Sequence, residues 1–424
     1  MRKAHDTQPT RAWSARRLFF VLVPGLVLGA FGFKLFEPVL VYNSGWEPLP
    51  SGPYTSVSMH APDWSEVAGE ADRWLIGLQT ELTAPAVSAA VSVDGERVWA
   101  GAVGYSDLET RAGVTLDTAF RIGSSSKAVT SVAMGVLLQD DAVDLDAPVS
   151  TYVPDLSGSL GQITSRQAMS HTAGVRGYGL CWCFPIWEYY NRRHYSSQRE
   201  ALRPFEASGL LFSPGQGFSY SSYGYNIAGA VIEGVTKLGF DEFLQRSVFD
   251  PLGMKTTHVE TGEPMSSDAT FYEVENRRYK ETFRVDNTNK LPSGGVVATP
   301  SDMTRLGQQM IVPTLFSQET RNLLVRHQPL ADGRPNPQGY ALGWRHHEAT
   351  FLKGAVTTPR YHHHGVAYGA VSHFSVYPEY GIVVSVMTNK NSESLGERVD
   401  PLTDLFVSVV HAGSRSEAKH GSPP

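Results

Sequence analysis

The sequence predicts a discontinuous α/β body whose sheet is assembled from both ends of the chain. Three observations carry that prediction. Residues 87–93 and 97–100 are strand-forming runs separated by Asp94-Gly95, a pair suited to a tight hairpin turn. Residues 370–377 and 381–387 flank Pro378-Glu379-Tyr380 in the same way near the other end. Between the two hairpins, from residue 141 to about 289, short helical patterns mix with loops, and there is no tandem repeat.

Composition agrees with a folded enzyme. The chain has 424 residues, 41% apolar, 18% charged and 11% aromatic, which supplies a large core and excludes a disordered tail protein. A net charge of −6 argues against a dedicated nucleic-acid binder. Forty glycines and 26 prolines imply many turns. Two cysteines are too few for a disulfide framework, and the spacing Cys181-Trp182-Cys183 is poorly suited to an unstrained bridge.

The elements follow in chain order. A basic leader, 1–17, carries Arg2, Lys3, Arg11, Arg16 and Arg17. It precedes a run that is uncharged up to Lys34, and 18–36 reads as a membrane anchor with its positive end cytoplasmic. A cleaved secretory signal is the alternative, because the run lies between the usual lengths of the two. Residues 37–60, rich in Pro and Gly, read as a linker, 61–412 as the body and 413–424 as a polar tail. Helical spacing joins Trp74, Leu75, Leu78 and Leu82, and again Leu402, Leu405, Phe406 and Val409.

Chemistry enters at Phe120-Arg-Ile-Gly-Ser-Ser-Ser-Lys127. Val129, Val132, Ala133, Val136 and Leu137 keep helical spacing after it, so Ser124 sits at the first turn of a buried helix with Lys127 one turn on. A helix start offers free N–H groups and partial positive charge beside a nucleophile. A desolvated lysine there can serve as general base, and the Ser124 N–H can face an oxyanion. The bare pattern is weak. Ser416 and Lys419 repeat it in the tail, and a serine at a helix start is commonly just a cap.

Two further elements strengthen it. Tyr220 ends a turn-rich stretch, 212–222, ahead of another apolar helix. His363-His364-Gly365 opens the apolar strand of the late hairpin, where Gly365 would admit a substrate close to the backbone. Taken singly, Tyr220 would be a packed aromatic and the histidines a solvated loop.

In this order the three elements resemble the serine β-lactamases of class C and the related D,D-peptidases and esterases. The resemblance spans roughly residues 84–389 and includes landmarks at 169–175, 293–299 and 340–344. It implies an α/β (α+β) fold with a mainly antiparallel central sheet, flanking helices and an inserted helical region. It also implies roles: Ser124 as acylated nucleophile, Lys127 as its base, Tyr220 as proton shuttle. Ser222 stands where many members carry Asn, and His363 where class C enzymes carry Lys. The amide of Val366, after Gly365, would be the second oxyanion donor.

Rival readings fare worse. No Gly-x-Ser-x-Gly elbow is present. His346-His347 and His362 to His364 invite a metal, but neighbouring strand residues alternate faces and no His-Glu-x-x-His accompanies them, so neither metal nor cofactor is expected. The expected activity is a membrane-tethered serine hydrolase acting on peptide or ester bonds, with weak or no β-lactamase activity, its body on the non-cytoplasmic side. A D,D-carboxypeptidase or β-lactamase is the alternative enzyme, and a non-turnover penicillin-binding or scaffold module the alternative of another class.

Overall fold

The computed structural model describes residues 15–51, 54–183, 185–391 and 395–420. Most of the basic leader, with Arg2, Lys3 and Arg11, lies outside the described residues, as do the side chains of Ser416 and Lys419.

Seven strands form the main path of an eight-stranded antiparallel sheet. They are β1 (Ser56–His60), β2 (Ala86–Val93), β3 (Glu96–Asp107), β4 (Arg345–Phe351), β5 (Val356–Ala367), β6 (Ala370–Tyr377) and β7 (Ile382–Thr388). The order across the sheet is β4-β5-β6-β7-β2-β3-β1, and Ala112–Gly113 pairs onto β3 as the eighth strand. The decisive pairing is β7 with β2, which joins the two ends of the chain through Ile382 opposite Val93 to Thr388 opposite Val87. Both expected hairpins form. Asp94 and Gly95 turn the first with φ of 50° and 86°, and Pro378–Tyr380 with left-handed Gly381 turns the second.

Helices cover both faces. On one side α2 (Ser65–Leu82) packs with the closing helix, and Trp99 and Phe406 meet in that layer. On the other lies α3 (Ser126–Gln139), with a larger helical region inserted between β3 and β4 that includes α4 (Ser222–Thr236) and α5 (Pro300–Gln308). Small residues let these layers close: a Cβ on Gly307 would meet Val383 at 2.5 Å.

Four expectations need correction. The linker does not span 37–60. The N-terminal helix α1 runs over Ala15–Asn43, and Ser56–His60 is an edge strand paired to β3. Pro38 sits inside α1 and did not stop it, and β1 is fully exposed, so no apolar alternation announced it. The closing helix α6 (Asp400–His420) continues into the expected polar tail, whose residues 421–424 lie outside the described residues. Cys181 and Cys183 are joined in a disulfide, their Cα atoms 5.2 Å apart, because the loop bends between them. Finally, the His363 run does not open β6. It lies near the end of β5, a separate buried strand.

Candidate active site

Ser124 lies in a single 3₁₀ turn, Gly123–Ser125, that leads directly into α3. The turn is wedged against the end of β5. Gly123 has φ +50°, and a Cβ on it would meet the Val366 backbone nitrogen at 2.8 Å. From the other side, a Cβ on Gly365 would meet the Ile122 carbonyl oxygen at 1.7 Å. The approach that demands Gly365 is therefore made by the chain itself rather than by a substrate. Polar side chains lock the junction. Ser125 Oγ lies 2.8 Å from Ser372 Oγ, which donates to the Ile122 carbonyl at 2.8 Å.

Lys127 is completely buried one turn into the helix. Its Nζ donates to Ser124 Oγ at 3.2 Å, to Ser222 Oγ at 3.3 Å and to the Ser293 carbonyl at 2.8 Å. Burial, reinforced by the Arg345 cation, holds the Lys127 ammonium well below the ordinary lysine range. Such a lysine can be a neutral amine near pH 7 and accept a proton from the hydroxyl it touches.

Tyr220 approaches the same hydroxyl. Burial pushes its phenol up to about 12, although the bond to Ser124 pulls the other way. Tyr220 therefore stays protonated and can donate. Its position is set by His171, whose ring packs at a tilt 4.2 Å from the Tyr220 ring and whose Nδ1 accepts the Ser221 N–H at 3.1 Å. Lys127 Nζ sits 5.0 Å above the Tyr220 ring centre, a second fixed contact between base and phenol.

His363 is placed differently from its expected role. It is fully buried and lies behind the reactive groups rather than on the cavity wall. Its Nδ1 faces the His364 carbonyl at 2.7 Å and so carries the proton, which leaves Nε2 to accept from Tyr340 Oη at 2.9 Å. Burial, with Arg345 and Lys127 nearby, keeps it neutral. The neighbouring histidines point to the opposite face and pair among themselves: His362 with His347 at 2.9 Å, His364 with His373 at 3.1 Å. The His run is thus a buried strand rather than a solvated loop, and among the described residues no three metal-binding side chains converge.

Ser124, Ser222 and Val366 line a cavity of about 70 Å³. Its walls also include Tyr189, from the aromatic stretch around Cys181 and Cys183, and three residues that sequence reasoning gave no role: Tyr178, Lys290 and Ser293. Ser293 and Tyr178 belong to stretches singled out only as landmarks or left as loop. Arg345 was missed altogether. It follows Trp344 at the start of β4 and places its guanidinium 5.5 Å from the Tyr220 and Tyr340 ring centres. No local pattern marks these residues, because four separate segments must fold before they meet.

Comparison with known proteins places this geometry in a family. A family model described as Beta-lactamase matches residues 71–407. The human serine beta-lactamase-like protein LACTB, mitochondrial, is 27% identical over 75% of this chain and 76% of its own length. Among solved structures, D-amino acid amidase from Ochrobactrum anthropi SV3 superposes with a TM-score of 0.67 at 20% identity, covering 81% of this chain and 99% of the amidase. FmtA from Staphylococcus aureus superposes with a TM-score of 0.66 at 21% identity, covering 85% and 93%. With its mainly antiparallel sheet and inserted helical region, the chain belongs to the beta-lactamase family and is a serine hydrolase.

Proposed function

We propose that the protein is a membrane-tethered hydrolase that cleaves peptide or ester bonds through an acyl-enzyme on Ser124. The observation that carries this reading is the 3.2 Å contact between Ser124 Oγ and a buried, proton-poor Lys127. Lys127 takes the proton as Oγ attacks the carbonyl carbon. The N–H groups of Ser124 and Val366 stabilise the oxyanion, and Tyr220 passes a proton to the leaving group. Water then releases the acyl group by the reverse route. Ser222 takes part by holding the Lys127 amine. His363 acts through Tyr340 and Tyr220 as a positioning residue.

The bond cleaved is not chiefly a β-lactam. The strand position where class C enzymes carry Lys holds a neutral, buried histidine, so no ammonium projects into the cavity from it to attract the free carboxylate of a penicillin or cephalosporin. Arg345 and Lys290 do place positive charge nearby, which favours a D,D-carboxypeptidase as the second reading. α1 contains a stretch, Phe19–Asn43, long and apolar enough to cross a membrane, and its exposed face supports tethering. Arg16 and Arg17 at its start put the body on the non-cytoplasmic side by the positive-inside rule.

The test is intact-protein mass spectrometry with a fluorophosphonate, then rates on an aryl ester, a peptide anilide and nitrocefin. Labelling of Ser124, lost in Ser124→Ala, is expected, with nitrocefin the poorest substrate. Labelling that persists in Ser124→Ala refutes the mechanism. Nitrocefin turnover exceeding both other substrates refutes the substrate class, and a stable adduct without turnover would mark a penicillin-binding module.

A further inference from the structure

The cavity at Ser124 is too small to hold more than the reacting bond, but it does not end there. Tyr189, Val366, Ala367 and Tyr368 line both it and a neighbouring cleft of about 820 Å³. The two spaces thus adjoin along these shared walls, and Val366, whose amide nitrogen lies against the Ser124 turn, is 51% exposed. The cleft is walled by Ile186, Trp187, Tyr190 and Phe283 from the body and by Val41 and Tyr42 from the end of α1.

Both walls are held in place. The loop that carries Trp187, Tyr189 and Tyr190 is pinned by the Arg176–Glu188 ion pair at 2.7 Å, and Glu188 also accepts from the Gly179 N–H and the Tyr223 hydroxyl. Lys280 Nζ donates to the Val41 carbonyl at 2.9 Å and lies 4.9 Å above the Trp46 ring, which ties the end of α1 to the body. The Lys34–Glu37 pair, with Lys34 also bonded to the Cys183 carbonyl, adds a second tie. α1 has 29 residues and is about 43 Å long, against about 30 Å for a hydrocarbon layer. Its last turns therefore emerge from the bilayer just where the cleft opens. In the segment before Trp187, Leu180 and Trp182 are 77% and 73% exposed, large apolar side chains open to solvent.

We propose that this cleft binds the apolar chain of an amphiphilic ester or amide presented by the membrane, with the carbonyl of that substrate seated at Ser124. The inference rests on the Ser124 mechanism above and adds the substrate class. A peptide of polar side chains would gain little from half-buried aromatic walls, whereas each methylene moved out of water strengthens binding of an apolar chain.

Two experiments on the full-length protein in phosphatidylcholine vesicles test it. The first follows kcat/KM over 4-nitrophenyl acetate, butyrate, octanoate and dodecanoate. A rise of about tenfold or more from acetate to octanoate is expected, and Ile186→Arg or, separately, Phe283→Ser should lower the octanoate-to-acetate ratio fivefold or more. Acetate turnover with no chain-length slope overturns the cleft but leaves the Ser124 mechanism standing. The second uses Ser124→Ala protein and a dodecyl ether bearing a photoactivatable diazirine, so it is independent of turnover. Adducts within 186–190 and 366–369 are expected. Adducts confined to the bilayer-facing residues 19–36 overturn the proposal. A soluble short-chain analogue of the probe should label neither region, and equal labelling by it also overturns the proposal.

Discussion

Two buried lysines stand at the Ser124 site, Lys127 behind Ser124 and Ser222 and Lys290 in the cavity wall, and their electrostatic surroundings differ. Lys127, on the nucleophile's helix, has hydroxyls, a carbonyl and aromatic faces around it, and Arg345 adds like charge. Lys290 is also desolvated and feels Arg121, yet Glu260 and Asp286 pull its ammonium back to about 7. Burial beside like charge thus favours a neutral amine, and burial tempered by carboxylates favours a cation that titrates near neutrality. Under the proposed mechanism Lys127 would abstract the proton and Lys290 would recognise charge.

The strongest test of that division is Lys127→Ala, which should lower aryl ester kcat/KM by roughly 10³- to 10⁴-fold while the protein still folds. Lys127→Arg should not restore activity, because a guanidinium keeps its proton. A Lys127→Ala protein within tenfold of wild type would remove Lys127 from the role of base.

Next in size is Gly365→Ala. Its Cβ would collide with the Ile122 carbonyl, so the strand that carries Val366 must move away from the nucleophile's turn. A loss of about 2–4 kcal/mol in denaturant unfolding is expected, with a fall in kcat on every substrate. Unchanged stability would mean that the helix wall is not rigidly fixed by this contact.

Lys290→Met should act more weakly and only on charged substrates. Wild-type preference for an anionic over a neutral ester should fall roughly tenfold as pH rises through 7, because the ammonium is lost there. The variant should show a small, pH-independent preference. A wild-type preference that does not move between pH 6 and 8 separates Lys290 from substrate charge.

The smallest effect per residue comes from behind the site. His171, His363 and His373 are buried neutral, with folded values well below their unfolded value near 6.5. They bind fewer protons folded than unfolded as pH falls, so stability is complete above about pH 6.5 and is lost below it. Each should cost about 1 kcal/mol at pH 5.5, read as a falling denaturation midpoint. A midpoint unchanged from pH 7.5 to 5 would contradict the burial of these rings.

Local chemistry was legible wherever a few consecutive residues carried it. The Asp94-Gly95 turn, the apolar face after Ser124 and the Ser124–Lys127 spacing each follow from steric or helical rules that act over one or two turns. What depended on contacts between distant segments could not be read that way. Ser56–His60 pairs as a strand only because β3 presents an open edge, and the need for Gly365 exists only because Ile122 lies across from it. His363 left the expected substrate face because β5 is an interior strand whose alternate side chains must bury somewhere. Arg345 and Lys290 reached the site from positions 55 residues apart in the chain. The order of motifs was therefore determined by sequence alone, and with it the family resemblance. The electrostatic environment that makes one lysine a base and the other a titrating cation was decided by packing, since desolvation and through-space charge depend on which distant groups are brought near.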